Sequence, residues 1–162
     1  MVRKEKRITL LGQVITPEIV RQVVQTASLV QWGTHLLRWR YFDVHHEGVI
    51  YQHNALIPTA LWHLLKRVYV DEEWPRGTTQ ENLDQEARAT IQSRETEIYV
   101  YGYYRTNPPR LQWGFLNPKT GIAVVYDMEA ELIATVFKPA EGALFFTRQL
   151  DAVRIDRKEW NV

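Results

Sequence analysis

The pattern of apolar and polar positions in the N-terminal half of the chain predicts three helices. Apolar residues at helical spacing follow Thr16, a good N-cap residue, as far as about Leu29. A second helix is expected over about residues 57–70, where apolar positions recur at the same spacing. The third has the clearest start, because Thr78 and Glu81 form a capping box in which Thr78 is the N-cap.

The other apolar segments favour strands. Residues 36–53 look extended, with a turn at residues 45–48, although residues 36–40 could also continue a helix. From Glu97 onwards the apolar period changes from about 3.6 residues to about 2, which is typical of strands. Strands are expected there at 98–104, 110–116, 122–126 and 132–137, and a last extended or irregular segment passes through 144–146 and 153–155.

This order of elements predicts an α+β fold in which N-terminal helices pack on a four- or five-stranded antiparallel sheet. The helix-rich part covers about residues 9–95 and the sheet about residues 97–156. The sequence shows no internal repeat and no glycine–serine linker, so residues 1–162 are expected to form one domain. The charged ends, residues 1–8 and 157–162, lack an apolar pattern and are expected to be mobile.

The composition narrows the class of protein. Hydrophobic residues make up 45% of the 162 residues, so the chain can form a core without a metal or a disulfide. Cysteine is absent, which excludes disulfide scaffolds, thiol nucleophiles and metal sites held by cysteine. The apolar runs fall short of the ~18 residues of a membrane span, and the N-terminus lacks a signal-peptide pattern. We therefore expect a cytoplasmic protein without a membrane partner.

Charge is unevenly distributed along the chain although the net charge is only +1. Residues 1–70 carry a net charge of +5, residues 71–97 carry −5, and residues 98–162 carry +1. Such asymmetry can create a positive face that attracts polyanions. The other interpretation is a solvated acidic helix beside an ordinary basic tail.

The histidines are the main candidates for acid–base or metal chemistry, since dinucleotide-binding, Walker A, zinc-protease and serine-hydrolase motifs are absent. Imidazoles suit zinc, nickel or copper, but adjacent His45 and His46 point to opposite faces of an extended segment, which favours surface histidines. His53 and His63 are the better candidates for a general base, because each ends or lines an element expected near the sheet. All five histidines lie within a short stretch: His35, His45, His46, His53 and His63.

Tyrosines alternate along the first predicted strand of the sheet. Tyr99, Tyr101 and Tyr103 share one face of that strand. They either pack under a helix, as tyrosines in strands commonly do, or form a stacking surface for nucleobases flanked by Arg105 and Arg110.

A hairpin in the sheet carries a resemblance to a known family. Residues 114–127 read Gly-Phe-Leu-Asn-Pro-Lys-Thr-Gly-Ile-Ala-Val-Val-Tyr-Asp, and residues 133–139 read Ile-Ala-Thr-Val-Phe-Lys-Pro. This pattern resembles the sheet of colicin-D-like ribonucleases, which belong to the barnase/EndoU/colicin/RelE group of small RNA-cleaving toxins. The similarity lies in an Asn-Pro-x-Thr-Gly hairpin, an apolar strand ending in Asp and a last strand closing on an aromatic residue and Lys.

The resemblance implies RNA cleavage without a metal or another cofactor. Thr135 would hold the hydroxyl position, Phe137 the aromatic position and Lys138 the cation that follows. Colicin-D-like toxins take their base from a Lys-His pair on a preceding helix, and this sequence has no Lys-His dipeptide. The nearest substitutes are His63 with Lys66 and Arg67. Either the base has moved to these residues, or the scaffold is kept without catalysis.

Two functions follow as hypotheses. The first is a toxin-like ribonuclease whose catalytic residues are His63, Lys66, Thr135 and Lys138, and whose RNA-binding residues are Arg67, Arg105, Arg110 and Phe137. Its partner would be RNA, with an antitoxin as a possible protein partner. The second is a non-catalytic protein-binding module, such as an antitoxin, immunity protein or regulatory partner, on a related α+β scaffold. A small-ligand pocket lined by aromatic residues is a third hypothesis.

Overall fold

The computed structural model describes residues 6–30, 39–46 and 49–162. A five-stranded antiparallel sheet dominates the C-terminal part. Its strand order is β8-β7-β6-β5-β9. The strands are β5 (Glu97–Tyr103), β6 (Arg110–Leu116), β7 (Ala123–Asp127), β8 (Leu132–Phe137) and β9 (Val153–Ile155). The fold is therefore α+β with an antiparallel sheet, as expected from the sequence, and β8 is one of its two edge strands.

Two hairpins precede this sheet, so the N-terminal part is not purely helical. The strands of the first hairpin are β1 (Ile8–Leu10) and β2 (Gln13–Ile15), and the first helix follows it. The strands of the second are β3 (Trp39–His46) and β4 (Val49–Pro58). Residues 39–40, for which the sequence allowed either a helix or a strand, are therefore extended. The turn was expected at residues 45–48, but residues 45–46 still belong to β3. Residues 47–48 of that turn and residues 36–38 lie outside the described residues.

The helices begin close to their predicted residues. The described helices are α1 (Pro17–Leu29), α2 (Thr59–Leu65), α3 (Gln80–Gln92), α4 (Leu144–Thr147) and α5 (Arg157–Trp160). Thr16 caps α1 by accepting a hydrogen bond from the backbone N–H of Ile19. A π-helical turn, Lys66–Val70, continues α2 without a break, so the helical segment starts at Thr59 and not at residue 57.

The capping box of α3 lies one residue later than predicted. Thr79 is the N-cap and Asn82 occupies the third helical position, with reciprocal side-chain to backbone bonds between them. The hydroxyl of Thr78 instead donates to the carbonyl of Pro75 at 2.6 Å, which closes the preceding turn. Thr78 and Glu81 therefore do not form the box, because the turn occupies the first threonine.

One face of the sheet and the long helices contribute to a single buried cluster. Val23 of α1, Leu83 of α3 and Val68 of the π-helical turn share it with Trp113 of β6. The opposite sheet face carries a second cluster in which Phe146 of α4 packs against the sheet. Gly114 permits this close approach, because a Cβ on it would lie 2.2 Å from Cε1 of Phe146.

Two short helices correct the predictions for the C-terminal region. Residues 144–147 form α4 and are not extended. Residues 157–160 form α5, which is capped by the Asp156 carboxylate and buries Trp160 to 7% exposure. The C-terminal end is therefore packed against the protein, and the prediction of a mobile segment there is wrong. Among the described residues, no helix is long and apolar enough to cross a membrane.

Candidate functional site

Thr135 lies where the end of the second helical segment meets the edge of the sheet. Its Oγ1 is 3.4 Å from Nδ1 of His63. The same oxygen accepts a hydrogen bond from Nη2 of Arg67 at 3.3 Å. An imidazole, a guanidinium and a hydroxyl from two distant parts of the chain thus meet at one point.

The local structure explains this convergence. His63 and Arg67 are four residues apart on a continuous helical segment, so they lie on the same side of it. Thr135 pairs with Val125 in the sheet and alternates with the buried Val136, so it lies on the face opposite the larger core cluster. Because β8 is an edge strand, side chains from the helical segment can reach this face.

Two carboxylates join the cations at this site. Oδ2 of Asp71 is 3.1 Å from Nζ of Lys66 and 2.9 Å from Nη1 of Arg67. Oε2 of Glu73 is 3.7 Å from the same Nη1 of Arg67. The site therefore alternates positive and negative groups.

The chain path after the π-helical turn places these acids. The N–H of Asp71 donates to the carbonyl of Lys66, and the N–H of Glu73 donates to the carbonyl of Arg67, both at 2.8 Å. Glu72 between them has a φ of 52°, in the left-handed region that turns a chain at a helix end. The chain therefore reverses direction and brings Glu73 back against Arg67.

Glu73 connects the helical segment to the end of β8. The backbone N–H of Lys138 donates to its Oε1. Burial raises the pKa of Glu73, while this N–H and the guanidinium of Arg67 act in the opposite direction. Nζ of Lys138 lies 4.8 Å from the ring centroid of Trp74. Lys138 is thus fixed by its backbone and its side chain together.

Arg67 is more enclosed than the neighbouring Lys66, whose side chain is 35% exposed. Its side chain is 14% exposed, and its guanidinium carbon lies 5.1 Å from the ring centroid of Phe137. Within the part of the chain that the structure describes, its Nε has no hydrogen-bond partner, and neither does Oε2 of Glu73. A buried donor and a buried acceptor in the same contact are thus left without full hydrogen bonding.

Six of the predicted site residues meet here. They are His63, Lys66, Arg67, Thr135, Phe137 and Lys138. Arg110 does not join them: it lies opposite Tyr103 at another end of the sheet and forms an ion pair with Asp127 at 3.5 Å. Arg105 is an exposed residue of the loop between β5 and β6.

The tyrosines of β5 serve mainly as packing residues. Tyr99 is 1% exposed and Tyr101 2% exposed, and the Tyr99 ring stacks on Phe146 with centroids 5.1 Å apart. Burial is the largest cause of the raised pKa of both phenols. An open stacking surface on these two rings is therefore not present, and only Tyr103 of the three is partly exposed.

The side chains of the other four histidines lie outside the described part of the structure. His45 and His46 belong to β3 and His53 to β4, while no part of His35 is described. Among the described residues, no group of three or more His, Cys, Asp or Glu side chains could hold a metal ion.

Asp71 and Glu73 are the site residues that the sequence analysis missed. They belong to the segment of net charge −5 that is readily explained as a solvated acidic face. The available signal was their spacing, since Asp71 follows Arg67 by four residues, the spacing of a helical ion pair.

Comparisons with known proteins identify no relative. No protein-family model matches the chain. No curated protein and no solved structure matches it.

Proposed function

We propose that this protein cleaves RNA without a metal ion, using the site around Thr135. The observation that carries the proposal is that His63 and Arg67 both lie within hydrogen-bond distance of the Thr135 hydroxyl. A potential base, a fixed cation and a hydroxyl are the groups needed for attack of a ribose 2′-hydroxyl on the adjacent phosphate. The similarity of the hairpin at 114–139 to colicin-D-like ribonucleases supports the same chemistry.

Each residue has a defined role in this proposal. His63 accepts the proton of the 2′-hydroxyl as its oxygen forms a new bond to phosphorus. The bond from phosphorus to the 5′-oxygen breaks, and the imidazolium returns the proton to that oxygen. Arg67 and Lys138 stabilise the negative charge on the phosphate in the transition state, and Thr135 donates a hydrogen bond. The products are a 2′,3′-cyclic phosphate and a 5′-hydroxyl.

The proposal includes the arrangement expected from the sequence, in which N-terminal helices pack on the sheet. The proposed cleft lies between the second helical segment and β8. It is supported by the buried cluster that Val68 and Leu83 share with Trp113. RNA in the cytoplasm is the proposed substrate.

The test is a cleavage assay on total tRNA and rRNA in the presence of EDTA. We expect cleavage with cyclic phosphate ends. His63→Ala should reduce the rate by about 100-fold, because general acid–base catalysis contributes at least that factor. Thr135→Val keeps the side-chain shape and should reduce it by about tenfold through the lost hydrogen bond.

Thr147→Val is the matched control for Thr135→Val, because Thr147 is exposed on α4 and is not among the residues that contact His63 or Arg67 in the described part of the chain. It should cleave at the wild-type rate. Folded wild-type protein that leaves these RNAs intact in EDTA would contradict the proposal, and so would equal activity of His63→Ala. The non-catalytic binding module would then be the better hypothesis.

A further inference from the structure

A single carboxylate oxygen lies between the two cations at the end of the helical segment. Oδ2 of Asp71 is 3.1 Å from Nζ of Lys66 and 2.9 Å from Nη1 of Arg67. A non-bridging phosphate oxygen prefers the same surroundings, namely a lysine ammonium and an arginine N–H at hydrogen-bond distance.

Arg67 is oriented for more hydrogen bonds than it makes. Its Nη2 donates to Thr135, its Nη1 serves both Asp71 and Glu73, and its Nε has no partner among the described residues. Planar guanidinium groups bind phosphate through two parallel N–H bonds. The buried Nε–H lies on the Nη2 edge, so a phosphate in the place of Asp71 would take over the Nη1–H bond and the Lys66 contact and could add a parallel bond from Nη2.

The position of Asp71 allows its carboxylate to move away from Lys66 and Arg67. Asp71 is an exposed residue directly after the π-helical turn, and its side chain is 31% exposed. In its pair with Lys66 both side chains are partly exposed, and such pairs contribute about 1 kcal/mol or less. The backbone N–H of Asp71 also donates to the carbonyl of Lys66, and this bond does not depend on the carboxylate.

We infer that Lys66 and Arg67 form a phosphate-binding site that Asp71 occupies in this structure, so that a phosphate group binds by exchange with the Asp71 carboxylate. That the natural ligand is a phosphate group of RNA rests on the proposed function. Asp71 acts as an intramolecular competitor. It lowers the apparent affinity of the site for phosphate in proportion to the fraction of molecules in which its carboxylate is bound to the two cations.

The test measures binding of inorganic phosphate at low ionic strength by calorimetry, without any RNA. Asp71→Asn keeps the shape of the side chain and removes its charge. It should strengthen phosphate binding by about fivefold, the effect of losing two partly exposed charge contacts. Glu72→Gln is the matched control, because it removes the same charge from the adjacent exposed residue, for which no ion pair is present among the described residues. Its effect should stay below about twofold.

A second measurement uses the wild-type protein and does not depend on the folding of a variant. The ¹³C chemical shift of the Asp71 carboxylate should move during a phosphate titration, while that of Glu72 changes much less. Lys66→Gln should weaken phosphate binding in both the wild-type and the Asp71→Asn background.

The outcomes separate this inference from the proposed function. Equal effects of Asp71→Asn and Glu72→Gln, or an Asp71 signal that phosphate does not move, overturn the exchange. Stronger phosphate binding by Asp71→Asn supports it, whether or not RNA is cleaved. Cleavage of RNA with no effect of Asp71→Asn on phosphate affinity would support the ribonuclease function and contradict the competition by Asp71.

Discussion

Two groups of predicted RNA-binding cations lie near different ends of the same sheet, and their surroundings differ. Arg67 is enclosed by Phe137, Thr135 and two carboxylates, and it is 14% exposed. Arg105 is exposed in a loop, and Arg110 is committed to Asp127. A cation fixed by several contacts loses little freedom when it binds a ligand, whereas an exposed one must be ordered first. Catalysis is therefore expected at the enclosed group.

The largest expected effect is the change in the rate of RNA cleavage when Arg67 or Arg110 is replaced. Arg67→Gln should lower the rate of RNA cleavage by about 10³-fold, the effect of removing a preorganised charge from the transition state. Arg110→Gln should lower it by less than about threefold, as an outer contact would. Single-turnover cleavage of one short RNA by both variants, with thermal unfolding as a check on folding, makes the comparison. Equal losses for the two variants would mean that both ends of the sheet form the site.

The next effect concerns two strand glycines. Gly114 lies in the same row of the sheet as Thr135, and Gly102 lies next to Tyr103, the partner of Arg110. Gly114→Ala should destabilise the protein by about 3 kcal/mol, because its Cβ would overlap the fully buried Phe146. Gly102→Ala should cost about 1 kcal/mol or less, since its Cβ meets only the far end of the exposed Tyr104 ring. Urea unfolding measures both. A smaller loss for Gly114→Ala than for Gly102→Ala would show that α4 is not tightly packed on β6.

A smaller effect is the pH dependence that Glu73 gives to the unfolding free energy of the protein. Burial raises the pKa of Glu73 above the ordinary 4.5, so the folded protein binds this proton more tightly than the unfolded chain. The resulting stabilisation is fully present below pH 4.5 and is lost as the pH rises through the folded-state pKa. The unfolding free energy of the wild type, minus that of Glu73→Gln, should therefore fall as the pH rises from 4.5. A difference that increases with pH would show that Arg67 and the Lys138 N–H outweigh burial.

The smallest expected effect is on the salt dependence of RNA binding. Lys138→Gln should reduce the slope of log affinity against log salt by about one unit, as the loss of one phosphate contact does. Lys119→Gln is the matched control, because Lys119 is 72% exposed in a hairpin turn and pairs with Glu95. Fluorescence anisotropy with a 2′-O-methyl oligonucleotide, which lacks the attacking hydroxyl, measures both. An unchanged slope for Lys138→Gln would place this cation away from the phosphates.

Sequence patterns predicted those elements whose signals are local. Thr16 located the start of α1, and the period of two located β8 at residues 132–137. The cap of α3 was misplaced by one residue, since two adjacent threonines carry the same signal and only the preceding turn distinguishes them. Helices α4 and α5 are too short for a period of 3.6 to appear.

The candidate site was predicted in residue type more than in arrangement. His63, Lys66, Arg67, Thr135 and Lys138 were all named from the sequence, but their contacts depend on sheet order, which no local pattern contains. Asp71 and Glu73 were missed because their role depends on the chain reversal at Glu72. A non-glycine residue in the left-handed region is not foreseen by propensity.

The π-helical turn at residues 66–70 has a consequence for which insertions and deletions this protein can tolerate. Such turns commonly arise when one residue is inserted into an α-helix, and they occur often at functional sites. A chain with one residue fewer here would place Asp71 four residues after Lys66 and three residues after Arg67, and both are spacings of helical ion pairs. The bond from the N–H of Asp71 to the carbonyl of Lys66 would then become an ordinary α-helical bond. The contact between this acid and the two cations is therefore expected to survive the loss of the inserted residue in related chains.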